Sequence, residues 1–350
     1  MSTTTQPITA VEIVLPGQVE PEGLQVTERQ LPPLGPDQVV VQVEASGVSF
    51  AEQQMRRGKY YDQPAFPFVP GYDLVGTVAA IGSSVDQALL GRRVAALTKV
   101  GGWSSHIVLD AADLISVPST LDPAEAETFV VNGITAWQML HRIAKVKRGQ
   151  TIVVHGANGG VGSTLVQLAR AAGIRVIGTA SAKNAAIVEA LGASPVDYRG
   201  DVAQQVRALA PEGVDAVFDH VGGPGIVDSF GLLADHGTLV AYGTASTKND
   251  EGNSRLPLLK LFGQLMLWNT LPNKRNAHFY NIWAGKRNLT RFRNHLNEDL
   301  GKVLALAADG TLRPQVAARI PLSQAAEALT LAESGTVTGK VVIVPDPQRR

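Results

Sequence analysis

The chain has 350 residues, which is long for one hydrophobic core, so two domains are expected. Its 31 basic and 31 acidic residues give a formal charge of zero, so electrostatics favours neither a nucleic acid nor an anionic membrane surface as a partner. It contains no cysteine, which excludes disulfides, thiolate catalysis and any cysteine-ligated metal.

The N-terminal third of the chain has the pattern of an all-β domain. Residues 39–45 alternate and are rich in valine, which is typical of a half-buried strand. Glycine and proline divide the surrounding sequence into short pieces, at Pro70, Gly71, Gly76, Gly82, Gly91, Gly101 and Gly102. The chain does not start with a basic segment and a long apolar run, so we expect no signal peptide and a cytoplasmic protein.

From Asp122 onwards, strands and helices alternate. Asp122 is a candidate N-cap, and Pro123 stands at the first position of a helix over residues 123–128. Strands are predicted at 151–155, 175–179, 214–219 and 238–242, and helices at 161–172 and 185–191, the latter ended by Gly192. Such alternation predicts an α/β domain with a doubly wound parallel sheet.

Residues 246–290 lack this regularity, and we interpret them as the end of the sheet followed by a long excursion that covers the active site. Their apolar and aromatic residues suit a hydrophobic substrate, although packing on the sheet or a dimer contact explains them equally well. Residues 256–271 are interrupted by Lys260 and are too short and too polar to span a bilayer. A helix over 291–308 and a strand over 340–344 follow.

A glycine-rich segment, Gly156-Ala157-Asn158-Gly159-Gly160-Val161-Gly162, joins a predicted strand to a predicted helix. In the GxGxxG pattern, glycines permit a sharp turn, close approach to a pyrophosphate, and packing of helix on strand. Ala157 stands at the first of these positions, and Gly159 and Gly162 match the others. A glycine-rich turn can merely connect two elements, but this setting predicts a dinucleotide site at the helix N-terminus.

The next strand distinguishes NADPH from NADH. An NAD site needs a carboxylate about 20 residues beyond the first glycine, whereas here the first acid is Glu189. Ser181 can donate a hydrogen bond to a 2′-phosphate, and Lys183 a charge-assisted one. NADPH is therefore the predicted cofactor, and the alternative is that Lys183 is an ordinary solvated lysine.

Further segments resemble the zinc-independent quinone oxidoreductase (zeta-crystallin-like) branch of the medium-chain dehydrogenase/reductases. They are residues 49–60, 132–137, 196–198, 219–223 and 338–342, where the branch has NFIDTYxRxGLY, (Q/N)GLTAY, VINY, DSVGG and GKVVI. The resemblance covers nearly the whole chain. It implies a GroES-like β domain (residues 1–127 and 291–350), a Rossmann domain (residues 128–290), an active site in the cleft between them, and a homodimer.

The resemblance does not extend to zinc. Zinc-dependent relatives place a cysteine and a His-Glu pair where this chain has Ser49 and Tyr72-Asp73, and their structural zinc needs four cysteines. A hydroxyl, a phenol and one carboxylate are a poor zinc shell, and the seven histidines form no HxH or HxxxH pair. We therefore expect no metal.

Without zinc to stabilise an alkoxide, the easier reaction is hydride delivery to an acceptor that is already polarised. We predict an NADPH-dependent enzyme that reduces quinones or α,β-unsaturated carbonyl compounds. The alternatives are an enoyl-thioester or alkenal reductase, and a weakly catalytic, crystallin-like NADPH-binding protein. The absence of a basic stripe argues against RNA binding.

The branch's motifs, carried onto this chain, give the candidate site residues. For the cofactor they are Ala157, Gly159, Gly160 and Val161 at the pyrophosphate, Ser181, Lys183 and Tyr198 at the adenosine phosphate, Val221, Tyr242 and Gly243 at strand ends, and Thr135 near the nicotinamide. Lys340 either reaches the nicotinamide region or is a solvated strand-edge lysine. The catalytic candidates are Tyr60, Tyr72 and Ser49, although either tyrosine is equally explained as a packed aromatic. No proton donor is identified, and solvent can protonate an enolate.

Overall fold

The computed structural model describes residues 8–247 and 255–347. The chain divides into two compact units. Unit 1 comprises Met1–Val131, Thr290–Asp309 and Pro314–Arg350, and unit 2 comprises Asn132–Leu289 and Gly310–Arg313. The boundaries predicted from the sequence fall after residues 127 and 290 and assign all of the chain beyond 290 to the β domain, whereas Gly310–Arg313 belong to unit 2.

The strands of the described residues are β1 (Thr9–Val14), β2 (Gln25–Gln30), β3 (Gln38–Val48), β4 (Asp73–Ile81), β5 (Arg93–Leu97), β6 (His106–Asp110), β7 (Ile115–Ser116), β8 (Thr151–Val154), β9 (Arg175–Ala180), β10 (Ser194–Asp197), β11 (Val214–Asp219), β12 (Leu233–Ala241), β13 (Asn276–Phe279), β14 (Val316–Pro321) and β15 (Lys340–Val344). The α-helices are α1 (Phe50–Arg56), α2 (Pro123–Glu127), α3 (Val130–Trp137), α4 (Gly160–Ala171), α5 (Ala185–Leu191), α6 (Val202–Leu209), α7 (Ile226–Gly231), α8 (Arg255–Thr270), α9 (Leu289–Ala308) and α10 (Ala325–Glu333). None of these helices is both long and apolar enough to cross a bilayer.

Unit 1 is built on a mainly antiparallel sheet with the strand order β14-β15-β3-β4-β5-β7, and β6 also pairs with β3. The alternation predicted for residues 39–45 places Val39, Val41 and Val43 in one buried cluster with Leu74. The C-terminal strand β15 pairs with β3, so the two ends of the chain form one sheet. The predicted cap of α2 is confirmed, because the Asp122 side chain accepts the Glu125 N–H at 3.1 Å.

Unit 2 is a parallel sheet with the order β10-β9-β8-β11-β12-β13. Strand β8 is buried along its whole length, as expected for a central strand of a parallel sheet that is covered on both faces. Helix α5 ends as predicted at Gly192, whose φ of +100° suits glycine. In a parallel sheet, the loops that follow the strands meet at the carboxyl edge, where ligands bind in such folds.

The long excursion predicted for residues 246–290 is wrong in part. The described residues form helix α8 and strand β13, and β13 pairs with β12 as the edge of the sheet. The helix lacked a clear amphipathic pattern because its outer face is also apolar: Leu259 is 65% exposed and Met266 is 67% exposed. The polar run at 249–254 lies outside the described residues.

Candidate functional site

The glycine-rich segment makes a tight turn between β8 and α4. Gly156 has a φ of +64°, which glycine adopts without strain. A Cβ on Gly162 would lie 2.1 Å from the Gly156 carbonyl oxygen, so only glycine allows the helix to start this close to the strand. Ala157, which the sequence places at the first position of the pattern, directly follows Gly156 in this turn, and the turn is closed by the Gly159 N–H bonding to the Gly156 carbonyl oxygen at 2.9 Å. Ala157 is buried and donates its N–H to the Thr179 carbonyl oxygen at 2.9 Å.

The N-terminus of α4 presents backbone N–H groups to an anion. Gly159 precedes the helix, and no side chain of the described residues caps it. The nearest atom to a Cβ on Gly159 would be the Gly156 carbonyl oxygen at 3.4 Å, so the space beside the loop is open. The first N–H groups of a helix, here at Gly160 and Val161, have no intrahelical acceptor. With the helix dipole, this open cradle fits a pyrophosphate.

Helix α3 lies directly against the phosphate loop. A Cβ on Gly160 would lie 2.6 Å from the Asn132 side-chain nitrogen, so a larger residue at this position would have to displace the Asn132 side chain. Asn132 and Thr135, the residue predicted near the nicotinamide, are both buried in unit 2. The helix that carries Thr135 therefore packs against the loop through Asn132.

The three residues predicted at the adenosine phosphate lie at one edge of the sheet. β9 and β10 pair in parallel with Asp197 opposite Ala180, and Ser181 and Tyr198 directly follow these strands. The Tyr198 N–H donates to the Ala180 carbonyl oxygen at 3.1 Å. Lys183 is exposed just beyond Ser181. The ends of two adjacent strands thus bring together a hydroxyl, an ammonium and an exposed phenol.

Arg199 is a basic residue at this edge that the sequence reasoning missed. Its guanidinium carbon lies 5.7 Å from the centre of the Tyr198 ring, within the range of a cation–π contact. The Asp197 side chain accepts the Arg199 N–H at 3.1 Å and so fixes the turn. The available signal was the basic residue that follows the VINY-like segment at 196–198.

Asp219 is bonded to the loops that follow both β11 and β12, to the first through its carboxylate and to the second through its backbone carbonyl. Oδ1 of Asp219 accepts the N–H groups of Val221 at 2.7 Å and Gly222 at 2.9 Å. The Asp219 carbonyl oxygen accepts the Tyr242 N–H at 2.9 Å, and Gly243 follows. The predicted strand-end residues Val221, Tyr242 and Gly243 are therefore held together at the carboxyl edge. Sequence reasoning did not assign Asp219 a role, although it begins the DSVGG-like segment.

The catalytic candidates of unit 1 form a compact polar group. The hydroxyl oxygens of Tyr60 and Tyr72 lie 2.7 Å apart, and both residues are buried. Burial raises the pKa of Tyr60, and the neighbouring Tyr72 raises it further, so the phenol is neutral at physiological pH. A neutral phenol can donate a hydrogen bond to a substrate oxygen.

Glu52 joins this group and was not predicted to have a role. Its Oε1 accepts the Tyr72 N–H at 2.7 Å, and its Oε2 accepts both the Ser49 N–H at 2.9 Å and the Ser49 hydroxyl. Ser49 is the N-cap of α1, and the two residues form a capping box. Burial raises the pKa of Glu52, although the hydrogen bond from Ser49 opposes the change. The sequence feature that could have indicated this role is the S-x-x-E spacing of Ser49 and Glu52.

Lys340 lies in a buried ion-pair network of unit 1. Its Nζ is 2.7 Å from Asp73 Oδ2 and 2.6 Å from Glu127 Oε1, and its side chain is 3% exposed. The alternative of a solvated strand-edge lysine is therefore wrong, and contact with the nicotinamide region stays a prediction. Burial lowers the pKa of Lys340, but the two carboxylates outweigh it and raise the pKa overall. Burial raises the pKa of Glu127.

Asp73, which stands where zinc-dependent relatives have the glutamate of the His-Glu pair, is bonded to other groups of the protein. Asp73 Oδ2 contacts Lys340 and also accepts the Val131 N–H at 2.8 Å. Among the described residues, no group of three or more histidine, cysteine, aspartate or glutamate side chains is arranged to hold a metal ion.

A glycine-lined loop at the carboxyl edge of a parallel sheet, in a chain that also forms an antiparallel β unit, is typical of dinucleotide-dependent oxidoreductases. Two family models match the chain: the alcohol dehydrogenase GroES-like domain over residues 35–119 and the zinc-binding dehydrogenase over residues 191–343. The chain belongs to the medium-chain dehydrogenase/reductase family. It is an NADPH-dependent oxidoreductase.

Three relatives illustrate this similarity. The synaptic vesicle membrane protein VAT-1 homolog of Rattus norvegicus is 29% identical over 331 residues, which are 91% of this chain and 79% of that protein. The quinone oxidoreductase of Pseudomonas syringae superimposes with a TM-score of 0.83 at 28% identity, covering 96% of this chain and 100% of that one. A mycobacterial protein solved in complex with NADPH has a TM-score of 0.80 at 27% identity, with coverage of 96% and 100%.

Proposed function

We propose that this enzyme reduces quinones or α,β-unsaturated carbonyl compounds with NADPH and without zinc. The observation that carries the proposal is the engagement of Asp73, which lies at a zinc-ligand position of zinc-dependent relatives, by the buried ammonium of Lys340 at 2.7 Å. A site without a metal lacks the Lewis acid that stabilises an alkoxide in zinc-dependent enzymes, whereas a quinone or enone spreads the incoming charge into its own phenolate or enolate. The similarity to quinone oxidoreductases supports the same substrate class.

The nucleotide site of this proposal lies at the carboxyl edge of unit 2. The backbone N–H groups of Gly160 and Val161 would hold the pyrophosphate, while Ala157 and Gly159, whose own N–H groups bond to Thr179 and Gly156, would shape the loop around it. Ser181, Lys183 and Tyr198 would hold the 2′-phosphate. Val221, Tyr242 and Gly243 line the path to the nicotinamide, with Thr135 beside it. The Asp219 carboxylate keeps the loop of Val221 in place by accepting the N–H groups of Val221 and Gly222. NADPH, when bound, supplies the hydride.

Tyr60 and Tyr72 are the proposed substrate contacts. Their hydroxyl groups are hydrogen-bonded at 2.7 Å, and burial keeps Tyr60 protonated. The pair can therefore orient a carbonyl or quinone oxygen by hydrogen bonding, as a neutral donor and not as a base. Ser49 acts through Glu52, which holds the Tyr72 backbone. Solvent supplies the proton to the enolate.

We also propose that the enzyme is a cytoplasmic homodimer. In unit 2, helix α8 exposes four apolar side chains next to the edge strand β13. They are Leu259, Phe262, Met266 and Leu267. An exposed apolar face beside an unpaired sheet edge is typical of an interface. We therefore assign the outer face of α8 to contact with a second copy of the chain.

The substrate class is tested by turnover. Protein dialysed against a chelator is assayed for NADPH oxidation with 1,4-benzoquinone, a trans-2-alkenal and crotonyl-CoA. We expect turnover of the quinone or the alkenal, unchanged by added zinc. Turnover of the thioester alone would identify an enoyl-thioester reductase instead. NADPH binding without any turnover would identify a binding protein, and activity that returns only with zinc would contradict the metal-free reaction.

A further inference from the structure

His155 lies beneath the phosphate loop and contacts two other elements of unit 2. It follows β8 directly, so it leads into the turn at Gly156. Its Nδ1 lies 3.2 Å from the Thr179 hydroxyl on β9, and its Nε2 lies 3.0 Å from the Ser229 hydroxyl on α7. The imidazole thus bridges two elements that approach the loop from different sides.

The direction of each hydrogen bond follows from the partners. Ser229 donates its single hydroxyl hydrogen to Asp219 Oδ2 at 2.6 Å, so towards His155 it can only accept. Nε2 of His155 therefore carries the hydrogen. In a neutral imidazole the other nitrogen is an acceptor, so Nδ1 accepts the Thr179 hydroxyl hydrogen.

The hydrogen bonds of His155 continue through Thr179 to the phosphate loop. The Thr179 hydroxyl oxygen accepts the Gly156 N–H at 3.1 Å while its hydrogen is given to His155. At the other end, Asp219 Oδ1 accepts the N–H groups of Val221 and Gly222. One chain of hydrogen bonds therefore connects the glycine that turns the phosphate loop with the loop after β11.

The imidazole is neutral in this setting. Burial lowers the pKa of His155, and the charge of Asp219 opposes this decrease. The neighbouring His220 also has a pKa lowered by burial. The His220 ring lies against the loop itself, because a Cβ on Gly156 would be 2.5 Å from its Cε1. The acceptor role of Nδ1 is consistent with this neutral state.

We propose that His155, as its Nε2–H tautomer, is a positioning residue that aligns the two nucleotide-binding loops of unit 2 through Thr179 and Ser229. It touches neither the cofactor nor the substrate in this role. The inference rests on the proposed nucleotide site, and it adds that the affinity for NADPH depends on a buried hydrogen-bond chain behind that site. The hydroxyl of Thr179 is the link that can be removed most cleanly.

The test compares three threonine variants. Thr179→Val keeps the shape and removes the hydroxyl, and Thr179→Ser restores it. Thr151→Val is the matched control, because the Thr151 hydroxyl is buried in the same sheet without a hydrogen-bond partner among the described residues. We expect Thr179→Val, which removes both hydrogen bonds of the Thr179 hydroxyl, to raise the Kd for NADPH about fivefold or more, and the other two variants to stay within about twofold of wild type.

A second readout needs no cofactor. In ¹⁵N NMR spectra of the NADPH-free wild type, we expect the Nε2–H tautomer of His155, and in Thr179→Val we expect faster exchange of the Gly156 amide. An Nδ1–H tautomer, or Thr179→Val binding NADPH as tightly as Thr179→Ser, would overturn the inference and leave the nucleotide site standing. A wild type with the expected tautomer but without NADPH binding would remove the nucleotide site and the inference together.

Discussion

At the scale of single residues, cofactor preference depends on the charges at the ends of β9 and β10. Lys183 is exposed beside Ser181, and Arg199 lies against the Tyr198 ring at the same edge. A 2′-phosphate gains charge-assisted hydrogen bonds from such groups, whereas the 2′-hydroxyl of NADH gains little.

Lys183→Glu is therefore expected to weaken NADPH far more than NADH. A lost charge-assisted hydrogen bond and a new repulsion raise the Kd for NADPH about tenfold or more, while the Kd for NADH changes by less than about threefold. Calorimetric titration with both nucleotides measures this difference. Lys147→Glu is the control, since Lys147 is also exposed but precedes β8 at the opposite edge of the sheet. Equal losses for both nucleotides would remove the 2′-phosphate assignment.

The grouping of Ser181, Lys183 and Tyr198 was predictable because parallel strands end at one edge and the motifs fixed their register. The link from Glu52 to Tyr72 was not, because the Tyr72 N–H lies 20 residues away along the chain and is brought near the carboxylate only by folding. Asp219 was missed although its partners Val221 and Gly222 are local, because the sequence reasoning did not consider a turn held by this side chain. The positive φ of Gly156 in the loop is a feature of the backbone that the pattern alone does not give.

At the scale of elements, strands β3 and β15 pack around the buried ion pairs of unit 1. Gly47 of β3 pairs with Val342 of β15, and a Cβ on Gly47 would lie 2.5 Å from Glu127 Oε1. The same Cβ would lie 2.0 Å from Lys340 Cε. No larger residue fits without moving the ammonium away from its carboxylates.

Gly47→Ala is expected to destabilise the protein by about 3 kcal/mol or more, because disruption of a buried ion pair costs about 3–5 kcal/mol. Urea unfolding measures the change. Gly301→Ala is the matched control: Gly301 lies within α9, no atom lies within 4 Å of its Cβ position, and the substitution should stabilise the helix by about 0.5–1 kcal/mol. A Gly47→Ala protein as stable as wild type would mean that the ion-pair network of Lys340 rearranges without loss of stability.

Most elements were predicted because their patterns were strong. Strand β11 and helix α5 have the predicted bounds, since both are short apolar segments ended by turn residues. Helix α8 was missed because leucines lie on its exposed face as well as its buried one, and strand β13 has only four residues. Whether an apolar helix face is exposed depends on what the helix packs against. The sequence pattern of a single chain does not contain that information.

At the scale of the whole molecule, that exposed face is the basis of the proposed dimer. Met266 is 67% exposed and lies on the outer face of α8. Met266→Glu is expected to convert a dimer into a monomer in sedimentation velocity, because a charge in an apolar interface is costly to bury. Val227→Glu is the control, on a residue of α7 that is 52% exposed. A monomeric wild type, or a dimer that survives Met266→Glu, would contradict the proposed interface.

The account as a whole depends on a site for NADPH at the carboxyl edge of the parallel sheet. Calorimetric titration of the purified wild-type protein with NADPH and NADH tests it most directly. We predict one NADPH bound per chain, about tenfold or more tighter than NADH, as the 2′-phosphate contacts require. Heat of binding for neither nucleotide, or equal affinity for the two, would contradict it.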